Sequence, residues 1–179
     1  NYETLKITKE HRILTITIDR PGVKNAVNAQ LHSEFYRIFN DVDDDDEIDI
    51  IILTGANDAF CAGGDLDMLL AMHGDPISTS KAIRKDVKIQ NALLDLEKPI
   101  IAKVVGPAIG LGCSLALYCD FIYATPESIF ADPHVSVGLV AGDGGAVIWP
   151  QLIGYARAKR YLLTGDPING KDAADMGLI

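Results

Sequence analysis

Twice in this chain a buried, branched apolar run gives way to small residues and then to a helical stretch. The first passage runs from Ile50–Leu53 through Ala59-Phe60-Cys61-Ala62-Gly63-Gly64-Asp65-Leu66. The second runs from Ile100–Val105 through Gly106-Pro107-Ala108-Ile109-Gly110-Leu111-Gly112-Cys113. Where a strand hands over to a helix, the first N–H groups of the helix have no partner and the helix dipole favours negative charge. Small residues let a ligand approach that backbone closely. Two such loops facing one another make an oxyanion hole, whereas two tight turns packed for stability give the same spacing. On either reading, strand–loop–helix order repeated along a chain predicts an α/β fold with crossover connections.

The flanking segments agree. Tyr2–Thr8 and Arg12–Ile18 alternate apolar and polar residues about a turn near Lys9-Glu10, the pattern of a β-hairpin. Asn28 precedes Leu31, Phe35, Ile38, Phe39 and Val42 at helical spacing, which predicts a capped helix. A short helix from Leu66, a polar connection over 73–80 containing Gly74 and Pro76, and a helix over about 79–96 follow. Beyond the second small-residue loop the pattern predicts a helix over 112–118, strands over 121–124 and 128–131, and helical stretches over 145–152 and 155–163. The 179 residues suit one domain. Gly177-Leu178-Ile179 reads as the start of another strand, so the expectation is a single domain over 1–179 that lacks its C-terminal helices.

Charge and cysteine usage exclude other classes. The net charge of −9 leaves no basic face for nucleic acid. Cys61, Cys113 and Cys119 form no CxxC pair and are odd in number, which suits buried thiols in a reducing compartment. Asn1–Glu10 is polar and alternating, without a signal-peptide core. Pro99–Cys119 is long and apolar, but Lys103, Pro107 and three glycines break it, so it reads as buried soluble structure. A cytoplasmic protein with no membrane or nucleic-acid partner is expected.

Two site patterns fail. Asp41, Asp43 and Asp45 have calcium-loop spacing, but Asp46 and Ile52 stand where Gly and Glu are needed. The second loop misses a dinucleotide fingerprint because Leu115 replaces the third glycine. His11, His32 and His73 show no partner in sequence, and the acid run is a solvated turn.

Taken in order, Arg20-Pro21 with Asn25-Ala26, Phe60 to Leu66, Gly106 to Cys113, Cys119 to Ala124, Leu162 to Asp166 and Ala173 to Leu178 resemble the crotonase, or enoyl-CoA hydratase/isomerase, superfamily. The resemblance implies a twisted β-sheet core of ββα repeats wrapped by helices. It implies an enzyme of fatty-acid type metabolism, a lyase or isomerase, that binds an acyl-CoA thioester and stabilises its enolate. Coenzyme A would enter as part of the substrate, with no tightly bound cofactor or metal, and the assembly would be a homo-trimer or hexamer. By motif position the oxyanion donors are the N–H groups of Ala62 and Leu111. Val23, Lys24, Ala26, Gly63, Gly64 and Asp65 would line the CoA and thioester path beside them.

The chain leaves the family pattern at its acid–base groups. Hydratases of the family carry two glutamates, where this sequence has Ser114 and His134. His134 is a suitable base near neutral pH, and Asp143, nine residues on, could hold its ring. The pair resembles that of 6-oxocamphor hydrolase, a superfamily member that cleaves a C–C bond in β-diketones. Ser114 is expected to fill the space of the lost carboxylate, and Asp65 to cap a helix. Three functions stay open at this point: an acyl-CoA hydratase or isomerase, a CoA-independent C–C hydrolase, and a binding homologue without catalysis.

Overall fold

The computed structural model describes residues 1–72 and 74–179. Strands β1 (Leu5–Glu10) and β2 (Ile13–Ile18) form the hairpin, with the turn at His11-Arg12, both at positive φ. In β2 the alternation resolves as Leu14, Ile16 and Ile18 buried on one face. Helix α1 (Ala29–Asp43) starts at Asn28, whose side chain accepts from the Leu31 N–H, and buries Leu31, Phe35, Ile38, Phe39 and Val42. Strand β3 (Ile50–Gly55) then runs parallel to β2, and β4 (Ile100–Val104) parallel to β3.

Between β3 and β4 lie α2 (Leu66–Met72) and α3 (Pro76–Leu94). Here the structure corrects the polar connection expected over 73–80. Asp75 caps α3 by accepting from Ile77 and Ser78, and Pro76 takes the first helical position, where a missing N–H costs nothing. Residue 73 lies outside the described residues. Helix α3 packs on α1, and Nε2 of His32 meets Oδ1 of Asp86 across that contact at 2.5 Å, so His32 has a partner after all.

The second small-residue loop holds a short strand, β5 (Pro107–Ile109), before α4 (Leu111–Leu117), every residue of which is buried. Strand β6 (Phe121–Ala124) closes a five-stranded sheet of order β1-β2-β3-β4-β6, parallel except at β1. A second sheet sets β7 (Ile129–Ala131) between β5 and β8 (Ile168–Asn169). Helix α5 (Gly145–Thr164) breaks at Gly154, whose φ of 77° and ψ of 158° leave the helix, so the two stretches predicted there are real. Helix α6 (Gly170–Asp175) follows β8, and Leu178 is buried in the core while residues 177–179 form no strand. Among the described residues no helix is long and apolar enough to cross a membrane.

Candidate active site

Three segments meet at the ends of β3 and β4. The N–H groups of Phe60 and Cys61 donate to the Pro107 carbonyl at 3.1 and 3.0 Å, and Ile109 N–H returns to Cys61 O at 2.9 Å. Val27 N–H donates to Gly63 O at 2.7 Å, and Asp65 N–H to Val27 O at 3.0 Å. The small residues of both loops stand where these backbones touch. A Cβ on Gly63 would lie 2.7 Å from Ile109 O, and one on Gly112 would lie 2.6 Å from Cβ and O of Cys61. The two loops are therefore zipped side by side.

The two expected donors differ. Leu111 is the first residue of α4, follows Gly110 without a side-chain cap, and its N–H has no partner among the described residues. Ala62 corrects the expectation of a free donor: its N–H is taken by the Lys24 carbonyl at 3.0 Å. The cause is the turn at Lys24 and Asn25, with φ of 48° and 59°, which swings that carbonyl over the loop. Asn25 holds the turn from within. It is 1% exposed, accepts from Arg20 N–H at 2.9 Å, and donates to the carbonyls of Ala56 and Ala59 at 3.0 and 2.7 Å.

Around this turn Val23 and Lys24 are exposed, Ala26 and Gly64 are half-buried, and a cleft of about 230 Å³ opens between Arg20, Lys24, Asn25 and Asn57. Asp65 is committed elsewhere. One carboxylate oxygen meets Nη1 of Arg20 at 3.0 Å and the other accepts from Asp67 N–H at 3.2 Å. The hydrogen bond from Arg20 holds its carboxyl below the usual range. Arg20 also donates to Ala26 O, so Asp65 acts as a clamp between the turn and the start of α2.

The titratable groups expected at the site converge from the end of β7, from α4 and from the loop before α5. Nδ1 of His134 lies 2.5 Å from Oδ1 of Asp132, and Nε2 lies 3.4 Å from Oδ2 of Asp143. The firm partner of Asp143 is the Ser114 hydroxyl, which donates to its Oδ1 at 3.0 Å. This corrects two expectations. Ser114 is a donor as well as a space-filler, and the carboxylate bonded to the imidazole is Asp132. The resemblance points to Asp143, but Asp132, across Pro133, meets the ring at the shorter distance. An Asp two residues before a His, across a proline, was the local signal for it. The imidazole also faces Gly110, since a Cβ there would lie 3.5 Å from Cε1 of His134. The ring of His134 thus sits beside the residue that precedes α4.

Burial dominates the electrostatics. It pushes the Asp143 carboxyl up to about 6, His134 pulling back and the charge of Asp132 adding to the rise. Burial pulls His134 down, but the hydrogen bond to Asp132 and the charges of Asp143 and Asp132 more than offset it, leaving it raised. Burial thus favours the acid form of Asp143, while the neighbouring carboxylates favour the charged form of His134. Asp132, His134 and Asp143 place ligand atoms within 4.8 Å of one another.

The profile of the enoyl-CoA hydratase/isomerase family matches residues 8–179. A crotonyl-CoA hydratase of Syntrophomonas wolfei is 34% identical over 179 residues, covering 99% of this chain and 68% of the relative. A short-chain-enoyl-CoA hydratase of Clostridium acetobutylicum is 33% identical over 174 residues, covering 97% of this chain and 66% of the relative. Among solved structures, an enoyl-CoA hydratase/isomerase from Mycobacterium paratuberculosis superposes with a TM-score of 0.95 at 38% identity, covering 99% of this chain and 72% of that one. DspI of Pseudomonas aeruginosa does so with a TM-score of 0.94 at 29% identity, covering 100% of this chain and 72% of that one. The chain is therefore an enzyme of the enoyl-CoA hydratase/isomerase family, on the crotonase fold.

Proposed function

We propose that this enzyme acts on an acyl-CoA thioester and moves a proton at the carbon next to the thioester carbonyl, hydration of a short 2-enoyl-CoA being the leading reaction. One observation carries the reading: Asp143, hydrogen-bonded to Ser114 at 3.0 Å, faces Nε2 of His134 at 3.4 Å. The carboxyl reaches Ser114, where the resemblance puts the first glutamate of hydratases, and His134 takes the sequence position of the second. Two acid–base groups in one small space are what adding water across a double bond requires.

The Leu111 N–H receives the thioester oxygen as charge develops on it, and Ala62 N–H joins when the Lys24 carbonyl gives way. Neutral His134 takes the proton of the attacking water as its oxygen bonds to the β-carbon. The electron pair of the double bond moves toward the thioester oxygen, and the α-carbon then takes a proton from the acid form of Asp143. The same pair could carry a proton between two carbons, which is isomerisation. Val23, Lys24 and Ala26 beside the cleft, with Ala62, Gly63 and Gly64, would border the CoA arm, and the Lys24 ammonium suits its phosphates.

The test is turnover of crotonyl-CoA, followed as loss of the conjugated thioester absorbance. His134→Ala should lower kcat by about 10²–10⁴ with little change in KM, the usual weight of general acid–base catalysis. An unchanged rate in that variant would overturn the assignment. Turnover of a β-diketone without binding of any CoA ester would favour the C–C hydrolase.

A further inference from the structure

We propose that Asp132 is the positioning residue of this acid–base pair, holding the proton on Nδ1 of His134 so that a bare Nε2 faces Asp143 and the oxyanion donor. The inference rests on the reading of His134 as the acid–base group. The 2.5 Å contact joins Oδ1 of Asp132 to Nδ1, and the same oxygen lies 3.4 Å from the His134 backbone N–H. A carboxylate can only accept, so the ring nitrogen it faces must carry the proton. The other nitrogen is then the base, and it is the one directed at Asp143, 3.4 Å away.

The place of Asp132 is built for this contact. Its side chain is 1% exposed, at the end of β7, where Gly110 N–H anchors the strand by donating to Ala131 O at 2.9 Å. Its second oxygen has no hydrogen-bond partner among the described residues and lies against the start of α5. A Cβ on Gly145 would stand 2.1 Å from that oxygen, so the backbone of α5 holds the carboxylate in place. A buried carboxylate whose only partner among the described residues is one histidine is costly to keep. What it supplies is the tautomer, its orientation and a stronger base. The other ionisable groups about the ring are Asp143, Asp86 from α3, and Cys113 and Tyr118 of the α4 segment beside Asp143.

The test is the ring ¹⁵N spectrum of His134 in the free protein, assigned by comparison with His134→Gln. The expected result is a protonated Nδ1 and a bare Nε2 above the histidine pKa. Asp132→Asn, close to isosteric, should move the proton to Nε2, because the amide can place its NH₂ toward Nδ1. The same variant should lower kcat by about 10²–10⁴ while KM stays within a few-fold, as a wrong tautomer does elsewhere. Its pH profile should shift to lower pH, since the imidazole loses an adjacent negative charge. A wild-type ring with the proton on Nε2 would overturn the proposal, and so would an Asp132→Asn variant with the wild-type tautomer and rate. The ring spectrum needs no substrate, so its outcome is independent of whether the acyl-CoA reading stands.

Discussion

Replacing Asp143 with asparagine should make the protein more stable and less active in the same sample. Asp143 is 6% exposed, and burial raises its carboxyl from 3.8 to about 6. A shift of roughly 2 units at about 1.4 kcal/mol each makes its charged form cost about 3 kcal/mol in the folded chain. The sign follows from the direction. The folded state binds this proton more tightly than the unfolded one, so this group favours folding as pH falls through about 6, and the cost is fully present at pH 7. Asparagine is isosteric, carries no charge, and keeps an oxygen to accept from Ser114. The variant should therefore gain up to about 3 kcal/mol at pH 7, roughly 6–12 °C in Tm for a chain of this size. The gain should shrink toward zero by pH 4. Thermal unfolding followed by circular dichroism from pH 4 to 8, wild type beside variant, measures it. A variant no more stable than wild type at pH 7, or an advantage that grows on acidification, would refute the argument. Turnover should fall at the same time, because the amide cannot exchange a proton with His134.

Two further changes probe the scaffold. Gly112→Ala would drive a methyl group to 2.6 Å from Cβ and O of Cys61 and 2.8 Å from its Sγ, forcing the two loops apart. Chemical denaturation should show a loss of about 1–3 kcal/mol, as overpacking does, with crotonyl-CoA turnover reduced beyond what the remaining folded fraction explains. Lys98→Met removes an ammonium that donates to the carbonyls of Val42, Asp43 and Asp45 at 2.5, 2.8 and 2.8 Å, closing the C-terminal end of α1. It should lower stability by about 1–2 kcal/mol in the same assay without moving kcat, since it touches neither loop.

Fold class and most element positions were legible along the chain because they depend on local periods. Alternation in Ile13–Ile18, helical spacing from Leu31 to Val42 and the Asn28 cap all act within a few residues. Helix α3 began earlier than polarity suggested because Asp75 and Pro76 form a start signal that composition obscures. The motif order was enough to place the chain in its family.

The working parts of the site were settled only in three dimensions. Which groups neighbour Leu111, and whether Ala62 offers its N–H, depended on a carbonyl 38 residues away, at Lys24, turned by two residues at positive φ. Ser114 and Asp143, 29 residues apart, found each other across a loop whose path no spacing rule specifies. His134 had two carboxylates within reach in sequence. The fold set Asp132 at 2.5 Å on one nitrogen and Asp143 at 3.4 Å on the other. Sequence determined which chemical groups were available and the elements that carry them. Tertiary structure decided which hydrogen bonds they make, because a hydrogen bond is won or lost over a few tenths of an ångström and those distances are set by packing between segments far apart in the chain.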